Sequence, residues 1–267
     1  MLAPSGVIKQ TAKTALSGKA LAAFSASCVF VFICIICTML SELIWMVAGA
    51  ASAVVFASLL AIFLCAPLAL GVLYYFRRIL WGQNDNITIV FRYFSCIDEY
   101  KRALHLTLLL ALRLLAAGAL LFSPSVILDA LASEKFYSLI GISIPVWSSN
   151  LWVVISFLRV VAGVLLFFVM LKYYMAPFLF IGDDNMDAAE AVNMSTIISK
   201  RTSGEFFWLI VSMAAWIALS LLLIPLPFLL PYFICVYGVH CRFAVANYNK
   251  DVDRVNSEHI PHFEANI

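Results

Sequence analysis

Residues 183–204 read DDNMDAAEAVNMSTIISKRTSG, and the organisation of the whole chain follows from that stretch. It is the one long polar-patterned segment held between apolar runs that are each long enough to cross a bilayer. Both of its ends carry helix signals. Asp187 stands at an N-cap position with Glu190 three residues on, the spacing of a capping box, which satisfies backbone donors left open at a helix start. Ala188, Ala191, Val192, Ser195 and Ile198 recur at three and four residues and give one weakly apolar face. Lys200 and Arg201 fall in the last turn, where cations suit the helix dipole, and Gly204 closes it. The expectation is an interfacial helix carrying Asp187, Glu190, Lys200 and Arg201 along the membrane surface, followed by a membrane hairpin.

The flanking composition agrees. The 267 residues are 64% hydrophobic and 12% charged, with a mean hydropathy of +1.01. Soluble domains carry about 25% charged residues, so a water-soluble globule is excluded. A bilayer core takes roughly 20 apolar residues per helix. The apolar runs here are continuous rather than alternating, which argues against a membrane barrel. Six spans are expected, at about 20–40, 45–70, 103–122, 151–171, 206–224 and 228–246. Ser41-Glu42 forms the first turn, and Pro67 and Gly71 loosen the end of the second span. Ser123-Pro124 starts a separate short helix on the outer face. Pro145, Trp147 and Trp152 mark the entry to the fourth span, Pro177 ends or kinks it, and Pro225-Leu226-Pro227 is the last turn.

An amphipathic segment leads each pair of spans. Residues 8–16 place Lys9 and Lys13 four apart on a short helix that ends at Gly18. ITIVFRYFSCIDEYKR at 87–102 is the second such segment and 187–204 the third. The fold class is therefore all-α and polytopic: six transmembrane helices as three hairpins, each preceded by an amphipathic helix. One domain, 1–250, contains pseudo-repeats 1–82, 83–182 and 183–250, and a polar tail occupies 251–267. Of the 17 Lys and Arg residues, fourteen fall on one predicted side, Lys135 alone on the other, and Arg113 and Arg159 inside spans. That asymmetry places both termini in the cytoplasm of a multi-pass cell-membrane protein. The lysine-bearing N-terminus reads as a surface helix rather than a cleaved signal, since its apolar run exceeds a signal core, although AGAASA at 48–53 imitates a cleavage site.

From Tyr173 onward, YYMAPFLFIGDDNMDAAEAVNMSTIISKRTSGEFFWLIVSMAAWIALSLLLIPLPFLLPYF resembles an uncharacterised family of bacterial six-span membrane proteins, known only as a domain of unknown function. The resemblance covers 173–233. It rests on Tyr174 and Pro177, the acidic turn 183–185, Ala191, Ser195 and Ser199, Lys200, Arg201 and Gly204, Ser212 and Trp216, and Pro231 and Tyr232. Lys200-Arg201-Thr202-Ser203-Gly204 departs from that family's Met-Lys-Gly step. The resemblance implies an integral membrane protein and assigns no activity, cofactor or catalytic residue.

Among candidate site residues, Arg113 and Arg159 lie near the middle of neighbouring spans, where a charge costs at least about 2.5 kcal/mol on insertion scales. They either converge on a phosphate-like headgroup or anion, or bond to helix carbonyls and snorkel outward. Asp183, Asp184, Asp187 and Glu190 offer carboxylates to a cation, yet helix-start acids explain them without EF-hand spacing, and no metal is expected. The Cys34–Cys37 pair is buried in an apolar run and reads as packing, as do the other five cysteines. His105 and His240 have no ligand-spaced partners and read as packed or interfacial. No catalytic motif and no cofactor signature is present, and a net charge of +2 gives no argument for nucleic acid. The expected partners are membrane lipids and either another protein or a second copy of the chain. Two functions remain: a non-enzymatic membrane scaffold or accessory subunit, or a transporter or lipid-handling protein with a site around Arg113 and Arg159.

Overall fold

Continuous apolar sequence without turn residues forms long helices, and lipid requires it because backbone groups there have no water to bond. The computed structural model describes residues 4–83, 86–133, 151–220 and 225–259, and every regular element among them is helical. In chain order these are α1 (Ser5–Leu16), α2 (Ala20–Ala48), α3 (Ala50–Leu80), α4 (Arg92–Ser95) and α5 (Ile97–Ala132). They continue as α6 (Leu151–Tyr173), α7 (Ala176–Phe180), α8 (Ala188–Val211), α9 (Ala214–Ser220) and α10 (Leu226–His259). Five described stretches are long and apolar enough to cross a membrane: α2, α3, α5, Leu151–Phe180 and Leu226–Lys250. The expected fifth span is broken at Ser212 and Met213 between α8 and α9, and 221–224 lie outside the described residues.

Several boundaries differ from expectation. The first turn is at Gly49, in the left-handed region at φ +84°, not at Ser41-Glu42. The Ser41 hydroxyl instead donates to the Cys37 carbonyl at 2.9 Å and stays in the helix. Pro124 starts no new helix; α5 runs through it for 36 residues. Proline removes the amide that would bond the carbonyl four residues back, here that of Leu120, and the Ser123 hydroxyl donates to that same carbonyl at 2.9 Å. Gly204 likewise ends nothing, because α8 passes through it. The polar tail continues the α10 helix to His259. Lys135, Pro145 and Trp147 lie outside the described residues.

Pro67 repeats the proline logic inside α3. The carbonyl it leaves unbonded is that of Phe63, in a π turn at Ala61–Cys65, and Tyr100 Oη donates to it at 3.0 Å. Replacing Tyr100 by Phe is expected to destabilise the protein by about 1 kcal/mol. Thermal unfolding in detergent micelles measures it, and an unchanged midpoint would show that the carbonyl is satisfied otherwise.

The core sits at the basic end. Buried residues concentrate in the last turns of α3, the start of α5, the α6–α7 junction, α8 and the middle of α10. The far halves of the spans expose large apolar side chains such as Met46, Val55, Leu115 and Val160, which fits a lipid-facing surface. Of the three segments expected to be amphipathic, the first and third turn apolar residues onto protein, whereas 87–102 leaves Phe91, Phe94 and Ile97 exposed. Ile8 and Ala12 of α1 are buried in the cluster with α3 and α10 residues. Ala188, Ala191, Val192 and Ile198 of α8 are buried with the α6–α7 junction. Lys9 Nζ donates to the Ser212 carbonyl at the α8 break at 3.2 Å, and Lys19 Nζ to the Gln83 carbonyl at 2.9 Å. These lysines act just past helix C-termini, where cations complement exposed carbonyls.

Candidate functional site

The polar groups gather at the basic end around the turn 181–187 between α7 and α8. Three arginines from different elements hold that turn. Arg77 of α3 donates to the carbonyls of Ile181 and, at 3.0 Å, Gly182. Arg102 of α5 donates to the Met186 carbonyl at 3.1 Å. Arg92 of α4 bonds Glu99 through two nitrogens and reaches Asp184 at 3.0 Å. Aromatic faces carry the same cations: Arg92 lies 4.3 Å from the Tyr74 ring, Arg102 5.2 Å from Phe180, and both Arg77 and Arg242 pack on Trp81. The Glu99 hydrogen bond, with Asp184 behind it, raises the Arg92 pKa against the effect of burial. Burial pushes the adjacent Tyr93 phenol up to about 12, so both side chains keep one protonation state at physiological pH.

A second polar network repairs the broken helix at Pro177. The chain leaves α6 at Tyr173, turns through Tyr174 and Met175, and resumes as α7. That break frees carbonyls inside the protein, where each needs a donor. Ser195 and Ser199, one turn apart on α8, both donate to the Lys172 carbonyl, at 3.1 and 2.9 Å. Tyr237 of α10 donates to the Tyr174 carbonyl at 2.6 Å. The Tyr174 hydroxyl in turn sits 2.9 Å from Thr202 Oγ1 and 3.0 Å from His240 Nε2, with its ring stacked on Phe206.

The sequence-derived candidates land as follows. Arg113 and Arg159 do not meet. Arg113 donates to Asn193 Oδ1 at 3.4 Å and lies over the Tyr173 ring, whereas Arg159 pairs with Asp129 at 2.9 Å. The levels of Tyr173 and Arg159 differ by about 20 Å along α6 at 1.5 Å per residue. Asp129 escaped the sequence reading because Pro124 suggested a break; once α5 is continuous, Asp129 falls opposite Arg159. Asp187 is the N-cap of α8 but makes no capping bond, and its carboxylate lies 3.8 Å from His105 Nδ1. Asp183 accepts the Asn185 amide at 2.9 Å, a local turn bond. Glu190, Lys200 and Arg201 are exposed on α8, with the two cations in mid-helix rather than in the last turn. Cys65 joins Cys34 and Cys37 within thiol-bonding reach across the α2–α3 hairpin, a proximity with no sequence signal. No metal-holding group of three His, Cys, Asp or Glu residues occurs among the described residues.

This packing runs through most of the chain, and so does a family match: the proteins of unknown function grouped as DUF975 match residues 1–243. The chain belongs to that family. The resemblance that was confined to 173–233 in the sequence thus extends over the N-terminal half as well. No curated protein and no solved structure matches the chain. Membership in DUF975 fits an apolar, helical, membrane-spanning chain. In this member, Ser195 and Ser199 share one physical role, bonding the Lys172 carbonyl just before the helix break at Tyr174 and Met175.

Proposed function

We propose that this DUF975 member is a non-enzymatic membrane scaffold or accessory subunit that crosses the cell membrane six times as three hairpins, with both termini in the cytoplasm. The observation that carries this reading is what the polar side chains do. Arg77, Arg92, Arg102, Ser195, Ser199 and Tyr237 bond backbone carbonyls or neighbouring carboxylates and hold elements together. The orientation is supported by Arg77, Arg92, Arg102 and Arg242 gathering at one end. With its buried face committed to protein, α8 offers Glu190, Asn193, Ile197 and Lys200 on its outer face to another protein or a second copy of the chain.

The transporter or lipid-handling reading loses its stated basis, since each intramembrane arginine has a separate partner. Photo-crosslinkers at Asn193 and Ile197, combined with flux measurements in liposomes, separate the two. The scaffold reading expects crosslinks to a discrete protein or second copy that survive R113Q/R159Q and disappear with E190K/K200E. A solute or lipid flux that R113Q/R159Q removes would overturn it.

A further inference from the structure

Behind the repaired helix lies a cleft of about 290 Å³ between α1, α8 and α10, bordered by Ser5, Ile8, Glu205, Trp208 and His240. Two of its residues carry polar atoms with no hydrogen-bond partner among the described residues. Glu205 is exposed and makes no hydrogen bond or ion pair among the described residues. His240 is 1% exposed and bonds through Nε2 alone, to Tyr174. Its Nδ1 has no hydrogen-bond partner among the described residues, yet no buried polar atom there is left sealed without one. Nδ1 is therefore the atom His240 presents to the cleft.

With Thr202 Oγ1 donating to the Ile198 carbonyl at 3.1 Å, its oxygen accepts from the Tyr174 hydroxyl and Tyr174 Oη accepts from His240. In that donor order the ring proton is on Nε2 and Nδ1 carries a lone pair. The residues lining the cleft then supply three acceptors: the Glu205 carboxylate, the Nδ1 lone pair and the Ser5 hydroxyl. Beside them the exposed Trp208 indole supplies a face for a cation. An anion is repelled by Glu205, and a hard divalent ion takes six to eight oxygen ligands, which this set does not provide. A primary ammonium has three N–H donors and one positive charge, and matches the set.

We infer that this cleft binds a primary alkylammonium group, with Glu205 as its counter-ion, His240 Nδ1 as its directed acceptor and Trp208 against its charge. Such a group arrives either on an ethanolamine lipid headgroup or as a free amine. Tryptophan favours the interface between lipid and water, a depth that both sources reach.

The full-length protein in detergent, titrated with short-chain phosphatidylethanolamine, phosphatidylglycerol and free ethanolamine, provides the test. Native mass spectrometry reads the lipids and thermal stabilisation reads ethanolamine. The ethanolamine lipid is expected to bind at least tenfold more tightly than the glycerol lipid, and E205Q to weaken it about tenfold or more. Saturable stabilisation by free ethanolamine that E205Q removes, without preference between the lipids, upholds the ammonium site and assigns a soluble amine. S5A is the second variant, with a smaller loss expected. Both side chains are exposed, so neither change threatens the fold. Equal lipid binding with no effect of ethanolamine, or wild-type binding by E205Q, overturns the inference.

Discussion

Replacing Gly71 by valine is expected to lower stability by about 3 kcal/mol, the upper part of the usual range for an overpacked core. In a chain of this size that corresponds to roughly 6–12 °C in the melting midpoint. A side chain built at Gly71 collides with the carbonyl of Val90, which is backbone and has no rotamer to change. Val90 is itself fully buried, so relief requires moving the whole 3₁₀ turn Ile87–Phe91. That turn leads directly into Arg92, and its displacement pulls the Arg92 pairing with Glu99 and Asp184 apart. Alanine at the same position is expected to show a smaller loss of the same sign. Gly118 supplies the control, because nothing lies within 4 Å of a side chain placed there. G118A is expected to be neutral or slightly stabilising through helix propensity. If G71A and G118A melt together, the close approach of Val90 does not exist in the protein.

The second large effect appears only in combination. Ser195 and Ser199 are buried and donate to one carbonyl, that of Lys172. Either S195A or S199A leaves the other hydroxyl in place, so each single change is expected to cost less than about 1 kcal/mol. The double replacement leaves a freed carbonyl without a donor, at a cost of about 2–3 kcal/mol. A double-mutant cycle on thermal or denaturant unfolding should therefore show a positive coupling, on the order of 1 kcal/mol. Strict additivity would mean that the two serines serve different acceptors.

Much of this fold was legible in the sequence, for a physical reason. Apolar runs longer than a bilayer is thick leave few alternatives to spanning helices, so α2, α5, α6 and α10 fall where hydropathy puts them. The punctuation was less legible. Proline fails to mark a boundary where a hydroxyl takes over the abandoned carbonyl, as Ser123 and Tyr100 do here, whereas at Pro177 the helix does break. Tyr100 comes from distant sequence, which local pattern does not reveal. The amphipathic faces of α1 and α8 were visible as patterns, but a pattern does not say whether lipid or protein covers it. Similarly, Arg113 and Arg159 stood out as costly charges, while their separate partners depended on α5 continuing past Pro124. The cleft at His240 was invisible, because Ser5, Glu205 and His240 come together only through the seating of α1 on α10.

That seating has a consequence for how the protein is made. α1 is synthesised long before α10, yet its apolar face packs most extensively on that last-made helix, with α3 and α8 beside it. Until α10 is made, Ile8 and Ala12 lack their main protein cover, and a helix with one apolar face in that state rests against lipid headgroups. Completion of α10 then supplies that cover. The element drawn as a surface helix from sequence is thus a surface helix in time: a resting place during biogenesis that becomes a bolt when the chain is complete.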